Sequence, residues 1–109
     1  MTSGPARIIW HITLDGTPAR PGAEGFVDIS FTEQLAGTLA LHFPRAPSVV
    51  LLRLDEAALG KRLVVEPSRG GAMFPHVYGE IGPGDVVESV TVRRSVTGDF
   101  ALGDLGRVY

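Results

Sequence analysis

The chain has 109 residues, of which 44% are hydrophobic and 20% charged, with a formal net charge of -2 and no cysteine. A chain of this size fits one domain, 1–109, with a core of its own, and its weakly acidic balance excludes a general nucleic-acid binder. The lack of cysteine excludes disulfides and cysteine-ligated metals, and no window approaches the ~20 apolar residues of a membrane span. We therefore expect a cytoplasmic protein with no membrane association, because the N-terminal segment also lacks a signal-peptide pattern.

The first third of the chain predicts two strands separated by a loop. Residues 7–13 (RIIWHIT) are rich in β-branched and aromatic types, and the prolines and glycines of 14–24 predict a loop. GFVDIS at 25–30 alternates in period 2, which places Phe26, Asp28 and Ser30 on one face of the second strand.

A helix, a buried strand and a short helical turn are predicted next. Apolar residues recur at spacings of three and four within 31–43, which is typical of an amphipathic helix, and Ser30 with Glu33 has the form of a capping box, with Thr32 as a rival cap. SVVLLRLD at 48–55 predicts a central strand. DEAALG at 55–60 predicts one helical turn ended by Gly60.

The last part predicts two more strands around an irregular segment, EPSRGGAMFPHVYG at 66–79. LVVE at 63–66 and VVESVTVRRS at 86–95 read as strands, GPGD at 82–85 as a turn, and the tail at 97–109 as either docked or frayed. The predicted fold class is α+β: small, mostly antiparallel sheets flanking a cleft, with one principal helix.

Several polar residues are candidates for chemistry, and each also has a structural explanation. His11 can be a buried strand histidine, and Ser30 a helix cap. Glu66 ends a strand where sites often form, while Arg69 precedes two glycines that let backbone N–H groups approach an anion.

His76 and Tyr78 are two residues apart, so they project to the same side if the segment is extended. Pro75 restricts Phe74 to extended conformations and favours that geometry. The alternative is an ordered structural loop in which Tyr78 bonds to backbone. No metal-ligand spacing, phosphate loop or nucleophile elbow occurs in the chain, and we predict no metal site.

Five segments of the chain resemble the small bacterial family known as domain of unknown function 952: IIWHIT, EGFVDISFTEQL, HF, VVLLRLDEAALG and EPSRGGAMFPHVYGEI, within about residues 7–92. The resemblance implies a fold similar to ADP-ribosyltransferases. More distantly, the opening strands are similar to NAD-dependent RNA 2'-phosphotransferases and poly-ADP-ribose polymerases, in which the positions of His11 and Ser30 contact the ligand. Where the family reads GFIHCS, this chain has Asp28 and Ile29, and the loop at 14–24 is too short and proline-rich for the family's usual helix.

Three functions stay open from the sequence. The first is an enzyme or binder for a nucleotide-like ligand such as NAD, with Glu66 stabilising a cationic sugar, His11 orienting ribose and Arg69 meeting phosphate. The second is a cofactor-free cyclase, isomerase or lyase of a biosynthetic pathway, with a small apolar metabolite as substrate. The third is a non-catalytic binding module. The predicted catalytic residues are Asp28, Glu66, His76 and Tyr78, and the predicted ligand-binding residues are Trp10, His11, Thr13, Ser30, Arg69 and Phe74.

Overall fold

The computed structural model describes residues 7–103 and 105, apart from the side chain of Arg69. The described chain contains two antiparallel sheets and two short helices. The strands are β1 (Ile9–Thr13), β2 (Phe26–Asp28), β3 (Ser30–Phe31), β4 (Ser48–Leu54), β5 (Leu63–Pro67), β6 (Met73–Tyr78) and β7 (Val86–Arg93). The helices are α1 (Leu35–His42) and α2 (Glu56–Leu59). This arrangement confirms the predicted α+β class with antiparallel sheets and one principal helix.

The larger sheet has the order β3-β1-β4-β7, and the smaller sheet has the order β2-β6-β5. β4 lies between β1 and β7, and its side chains are buried on both faces of the sheet, as its apolar run predicts. The predicted turn at 55–60 is also confirmed: the carboxylate of Asp55 accepts the N–H groups of Ala57 and Ala58, and Gly60 ends α2.

The segment predicted as one strand at 25–30 is two strands that belong to different sheets. β2 pairs with β6, whereas β3 pairs with β1, and the chain passes from one sheet to the other at Ile29. The N–H of Ile29 donates to the carbonyl of Pro75 at 3.1 Å. Because the alternation is interrupted at this crossing, Asp28 is exposed while Ser30 is buried, and the prediction that they share a face is wrong.

The principal helix begins later than its apolar pattern predicts. A 3₁₀ turn, Thr32–Gln34, precedes α1, and the side-chain oxygen of Gln34 accepts the N–H of Phe31 at 3.0 Å. The predicted cap by Ser30 is wrong, because Ser30 belongs to β3 and its hydroxyl donates to Thr38 at 3.3 Å. Thr32 is not the cap either, since its hydroxyl oxygen accepts the indole N–H of Trp10 at 2.9 Å.

Two apolar cores cover the two faces of the larger sheet. One lies between the sheets, and its buried members include Ile9, Leu52 and Val77. The other lies under α1, with Trp10, Leu35, Leu39, Val49, Leu51 and Val92. Phe100, Leu102 and Leu105 of the tail at 97–109 pack against this second core, so the tail is docked at these residues, while 104 and 106–109 lie outside the described residues.

The irregular segment at 66–79 forms the end of β5, a tight turn at Arg69–Gly71, and β6. Gly70 and Gly71 have φ angles of 67° and 82°, a region that favours glycine and is costly for other residues. β6 is a regular strand between β2 and β5, so the prediction of an irregular segment is wrong at 73–78, while the extended geometry that Pro75 favours is present. Among the described residues, no helix is long and apolar enough to cross a membrane.

Candidate functional site

The register of the smaller sheet brings three strands' polar side chains to one face. His76 of β6 lies opposite Asp28 of β2 on one side and Val64 of β5 on the other. Side chains two residues apart on a strand share a face, so Glu66 and Tyr78 project to the same side as His76. The opposite face of this sheet carries Val27 and Val77 into the core.

Glu66 is the hub of this cluster. Its Oε2 accepts hydrogen bonds from Nδ1 of His76 at 2.6 Å and from the hydroxyl of Tyr78 at 2.5 Å. These bonds, that from Tyr78 first, lower the pKa of Glu66 below its ordinary value. The same bond raises the pKa of Tyr78, because the phenol loses a good acceptor if it ionises. Glu66 is therefore ionised and Tyr78 protonated at neutral pH.

His76 is buried beneath an aromatic ring. Its side chain is 3% exposed, and its ring stacks on Phe26 with centroids 3.9 Å apart and planes 11° apart. Since Glu66 is an acceptor, Nδ1 of His76 carries a hydrogen. Nε2 lies 3.6 Å from Oδ1 of Asp28, beyond hydrogen-bond distance, and has no hydrogen-bond partner among the described residues.

Asp28 connects this cluster to the solvent. Its side chain is 81% exposed, whereas the imidazole behind it is almost fully covered. The ring of Phe26 also contacts Tyr78, with centroids 5.4 Å apart. The predicted catalytic residues Asp28, Glu66, His76 and Tyr78 therefore lie together, in an order that runs from exposed carboxylate to buried imidazole to second carboxylate.

A cleft of about 350 Å³ opens beside Asp28. It is lined by His11, Ile12, Ala19, Arg20, Gly22, Glu24, Phe26, Val27, Asp28, Thr38, His42 and Phe43. Asp28 and Phe26 belong both to this cleft and to the His76 cluster. A molecule bound in the cleft would therefore contact the His76 cluster at these two residues.

His11 lines the cleft, but backbone groups bind both of its ring nitrogens. The N–H of Ala19 donates to Nε2 at 3.0 Å, so Nδ1 carries the hydrogen and bonds to the carbonyl of Asp28 at 3.2 Å. Burial is the largest influence on the pKa of His11 and lowers it, although the bond to Asp28 opposes the shift. His11 is therefore neutral near pH 7 and fixes the loop after β1 against β2.

Three predicted ligand-binding residues lie away from the Glu66 cluster. Trp10 is in the core under α1, and Ser30 is buried against Thr38. The hydroxyl of Thr13 donates to the carbonyl of Val50 at 2.9 Å and accepts the N–H of Gly16 at 2.7 Å. These bonds hold secondary structure together.

Of the remaining two predicted residues, Phe74 lies beside the cluster. Phe74 is opposite Glu66 in the register of β5 and β6, on the same face as His76. The side chain of Arg69 lies outside the described residues, so its predicted contact with an anion stays a prediction. No group of three or more metal-ligating side chains occurs in the described part of the chain.

Sequence reasoning missed Phe26 and Glu24 as site residues. Phe26 covers His76, and the charge of Glu24 contributes to raising the pKa of Tyr78. Period-2 alternation already placed Phe26 on the face of Asp28, but no sequence signal gives the register that stacks it on His76. Glu24 precedes the strand in a loop, where spacing carries no information about contacts.

The fold and the cluster define a small α+β protein whose two antiparallel sheets hold a carboxylate–imidazole–carboxylate group beside a cleft. The chain belongs to the family described as "Protein of unknown function (DUF952)", which matches residues 13–89. It is similar to protein CC0527 from Caulobacter crescentus. The crystal structure of that protein is 29% identical with a TM-score of 0.76, covering 89% of this chain and 96% of that chain. Its solution NMR structure is also 29% identical, with a TM-score of 0.74, covering 89% of this chain and 94% of that chain. Comparison with curated proteins gave no match.

Proposed function

We propose that this protein is an enzyme that moves a proton within a small molecule bound in the cleft, in a reaction of the isomerase, cyclase or lyase class. The observation that carries the proposal is His76, a buried imidazole whose Nδ1 is held by Glu66 while Nε2 faces Asp28 without a hydrogen bond. A base oriented by a third group is the usual arrangement of side chains that transfer protons.

Each residue then has a defined role. Asp28 is the exposed group that takes a proton from the substrate, and the neutral form of His76 accepts it at Nε2. The resulting imidazolium is stabilised by the carboxylate of Glu66, which keeps its charge because its pKa is lowered. The proton returns through Asp28 to a different atom of the same molecule, so no net proton is gained or lost.

The nucleotide alternative, with an ADP-ribosyltransferase-like fold and NAD as ligand, is less well supported by the geometry. It finds support in the position of His11 on the cleft wall. Both ring nitrogens of His11 are already bound to backbone, however, and the carboxylates of Glu24 and Asp28 would repel a pyrophosphate. Proton transfer in a molecule without phosphate fits this cleft better.

The test is a search for protein-dependent chemistry. The protein is incubated in D₂O with pools of small carbonyl compounds, amines and alcohols, and separately with NAD and ADP-ribose, and products and carbon-bound deuterium are detected by mass spectrometry. We expect turnover in one of the small-molecule pools. D28N and H76Q should each lower it by about 10²-fold or more, the usual contribution of a positioned acid or base.

Glu33→Gln is the matched control, because it removes an exposed carboxylate away from the cluster and should leave turnover unchanged. Full turnover in H76Q would overturn the proposal. Cleavage of NAD would support the nucleotide alternative instead. Failure of the wild-type protein to change any compound would favour a binding module.

A further inference from the structure

The carboxylates at the cleft give it a negative charge that the rest of the cleft does not balance. Glu24 and Asp28 are both exposed lining residues. Arg20 also lines the cleft, but its guanidinium is paired with Glu80 at 3.2 Å, and burial keeps His11 neutral by lowering its pKa. An anionic ligand would therefore be repelled, whereas a cation would be attracted.

The unpartnered nitrogen of His76 supplies independent evidence for a hydrogen-bond donor. With Nδ1–H donating to Glu66, Nε2 is the ring nitrogen left to accept a hydrogen bond, and the carboxylate oxygens of Asp28 are also acceptors. A buried acceptor without a donor is costly, and one group with several N–H donors can serve two acceptors that lie 3.6 Å apart. An ammonium group has three N–H donors and a positive charge.

Part of the remaining cleft lining suits an apolar body attached to that ammonium. Phe26, Phe43 and Ile12 contribute apolar surface, and the volume of about 350 Å³ lies in the range of small-ligand pockets. The ring of Phe26 also offers a π face near Asp28, which attracts a cation.

We infer that the molecule bound at this site is an organic amine with an apolar body, its ammonium held by Asp28 and Glu24 with Phe26 beside it. The inference rests on the proposed function for its location, since both use the cleft at Asp28.

Three compounds of one shape and different charge test this inference: benzylamine, benzyl alcohol and benzoate. Each is titrated into ¹⁵N-labelled protein, and backbone amide shifts are followed by NMR. We expect benzylamine to shift the amides of Phe26, Val27 and Asp28. Benzyl alcohol should bind at least about tenfold more weakly, as expected when a charged hydrogen bond is lost, and benzoate should give no shift.

Variants separate the contributions of the two carboxylates. D28N and E24Q should each weaken benzylamine binding severalfold, while the control E33Q should not change it. Equal affinity for the alcohol, preference for benzoate, or unchanged binding in both D28N and E24Q would overturn the inference. The same shifts produced by Mg²⁺ would also overturn it, because they would indicate an inorganic cation.

The two proposals fail in different ways. Binding of benzylamine at Asp28, combined with no turnover of any pool in D₂O, would support the amine-binding site and refute the proposed enzymatic activity. Turnover confined to neutral compounds and abolished in H76Q would support the proposed enzymatic activity and refute an amine as the bound molecule.

Discussion

At the scale of single residues, two buried histidines differ in the groups that bind them. His11 is 5% exposed and His76 2% exposed. Backbone groups satisfy both nitrogens of His11, whereas His76 is bound through a side-chain carboxylate and keeps one nitrogen unpaired. Backbone partners fix a ring in place, while a titratable partner lets it exchange protons. His76 is therefore the histidine suited to chemistry.

His11 should make the folded protein sensitive to mild acid. Folding lowers the pKa of His11 from its ordinary value of 6.5. Below pH 6.5, His11 is therefore protonated more readily in the unfolded chain than in the folded protein, and the free energy of unfolding decreases as the pH is lowered. The loss is at most about 1.4 kcal/mol per pH unit for one group, and it ends at the folded pKa. Urea unfolding between pH 7.5 and 5.5 measures it.

His11→Gln is the comparison, because its amide can still accept the N–H of Ala19 but does not titrate. The variant should show a flatter dependence of unfolding free energy on pH than the wild type. Identical pH dependence in the two proteins would contradict a neutral, buried His11.

Tyr78→Phe should raise the pKa of Glu66 toward its ordinary value, because the bond from Tyr78 is the largest influence lowering it. The measurement is ¹³C NMR of the Glu66 carboxyl across an acid titration. At pH 7, above the ordinary Glu66 pKa of 4.5, the variant should be less stable than the wild type. This difference in unfolding free energy should shrink as the pH falls through the pKa that Glu66 has in the folded wild type. An unchanged titration would show that the bond is absent in solution.

The site was predictable only in part from the sequence. The two-residue spacing of His76 and Tyr78 predicted that their side chains project to the same side. The position of Glu66 at the end of a predicted strand made it a candidate site residue. The pairing of Asp28 with His76 follows from the register of β2 on β6, which is a contact between residues 48 positions apart along the chain. Register depends on packing in three dimensions, and no local pattern encodes it.

At the scale of elements, local sequence patterns predicted the type of each helix or strand better than the residues at which it begins and ends. β4 and α2 follow their apolar run and their Asp55 cap. The division between β2 and β3 was missed, because six alternating residues satisfy one strand as well as two short ones in different sheets. α1 begins late because Thr32 and Gln34 make hydrogen bonds outside a regular helix.

Two glycine-to-alanine substitutions should have opposite effects on stability. Gly60 has φ 56° and ψ -128°, a conformation that is costly for any other residue, so G60A should destabilise by about 1–3 kcal/mol. Gly37 lies within α1, where an added Cβ would meet no atom within 4 Å, so G37A should stabilise by about 0.5–1 kcal/mol. Urea unfolding measures both. A stabilising G60A would contradict the backbone at the end of α2.

At the scale of the whole molecule, the two cores share the larger sheet. Ile9 faces the core between the sheets, while its neighbour Trp10 faces the core under α1. The bidentate ion pair of Arg62 with Asp85, at 2.7 and 3.2 Å, further joins the segment before β5 to the turn before β7. A disturbance in the smaller sheet should therefore be transmitted to the far side of the larger one.

Val77→Ala tests this coupling, because Val77 is fully buried in β6 and the protein's single tryptophan lies in the other core. Removing two buried methyl groups should cost about 2 kcal/mol, counting transfer and the cavity left behind. If the domain unfolds as one unit, Trp10 fluorescence and far-UV circular dichroism should shift to the same lower urea midpoint. A fluorescence midpoint that stays at the wild-type value while circular dichroism shifts would show that the core under α1 unfolds independently. Coincident midpoints would mean that β6, which carries His76, unfolds together with both cores.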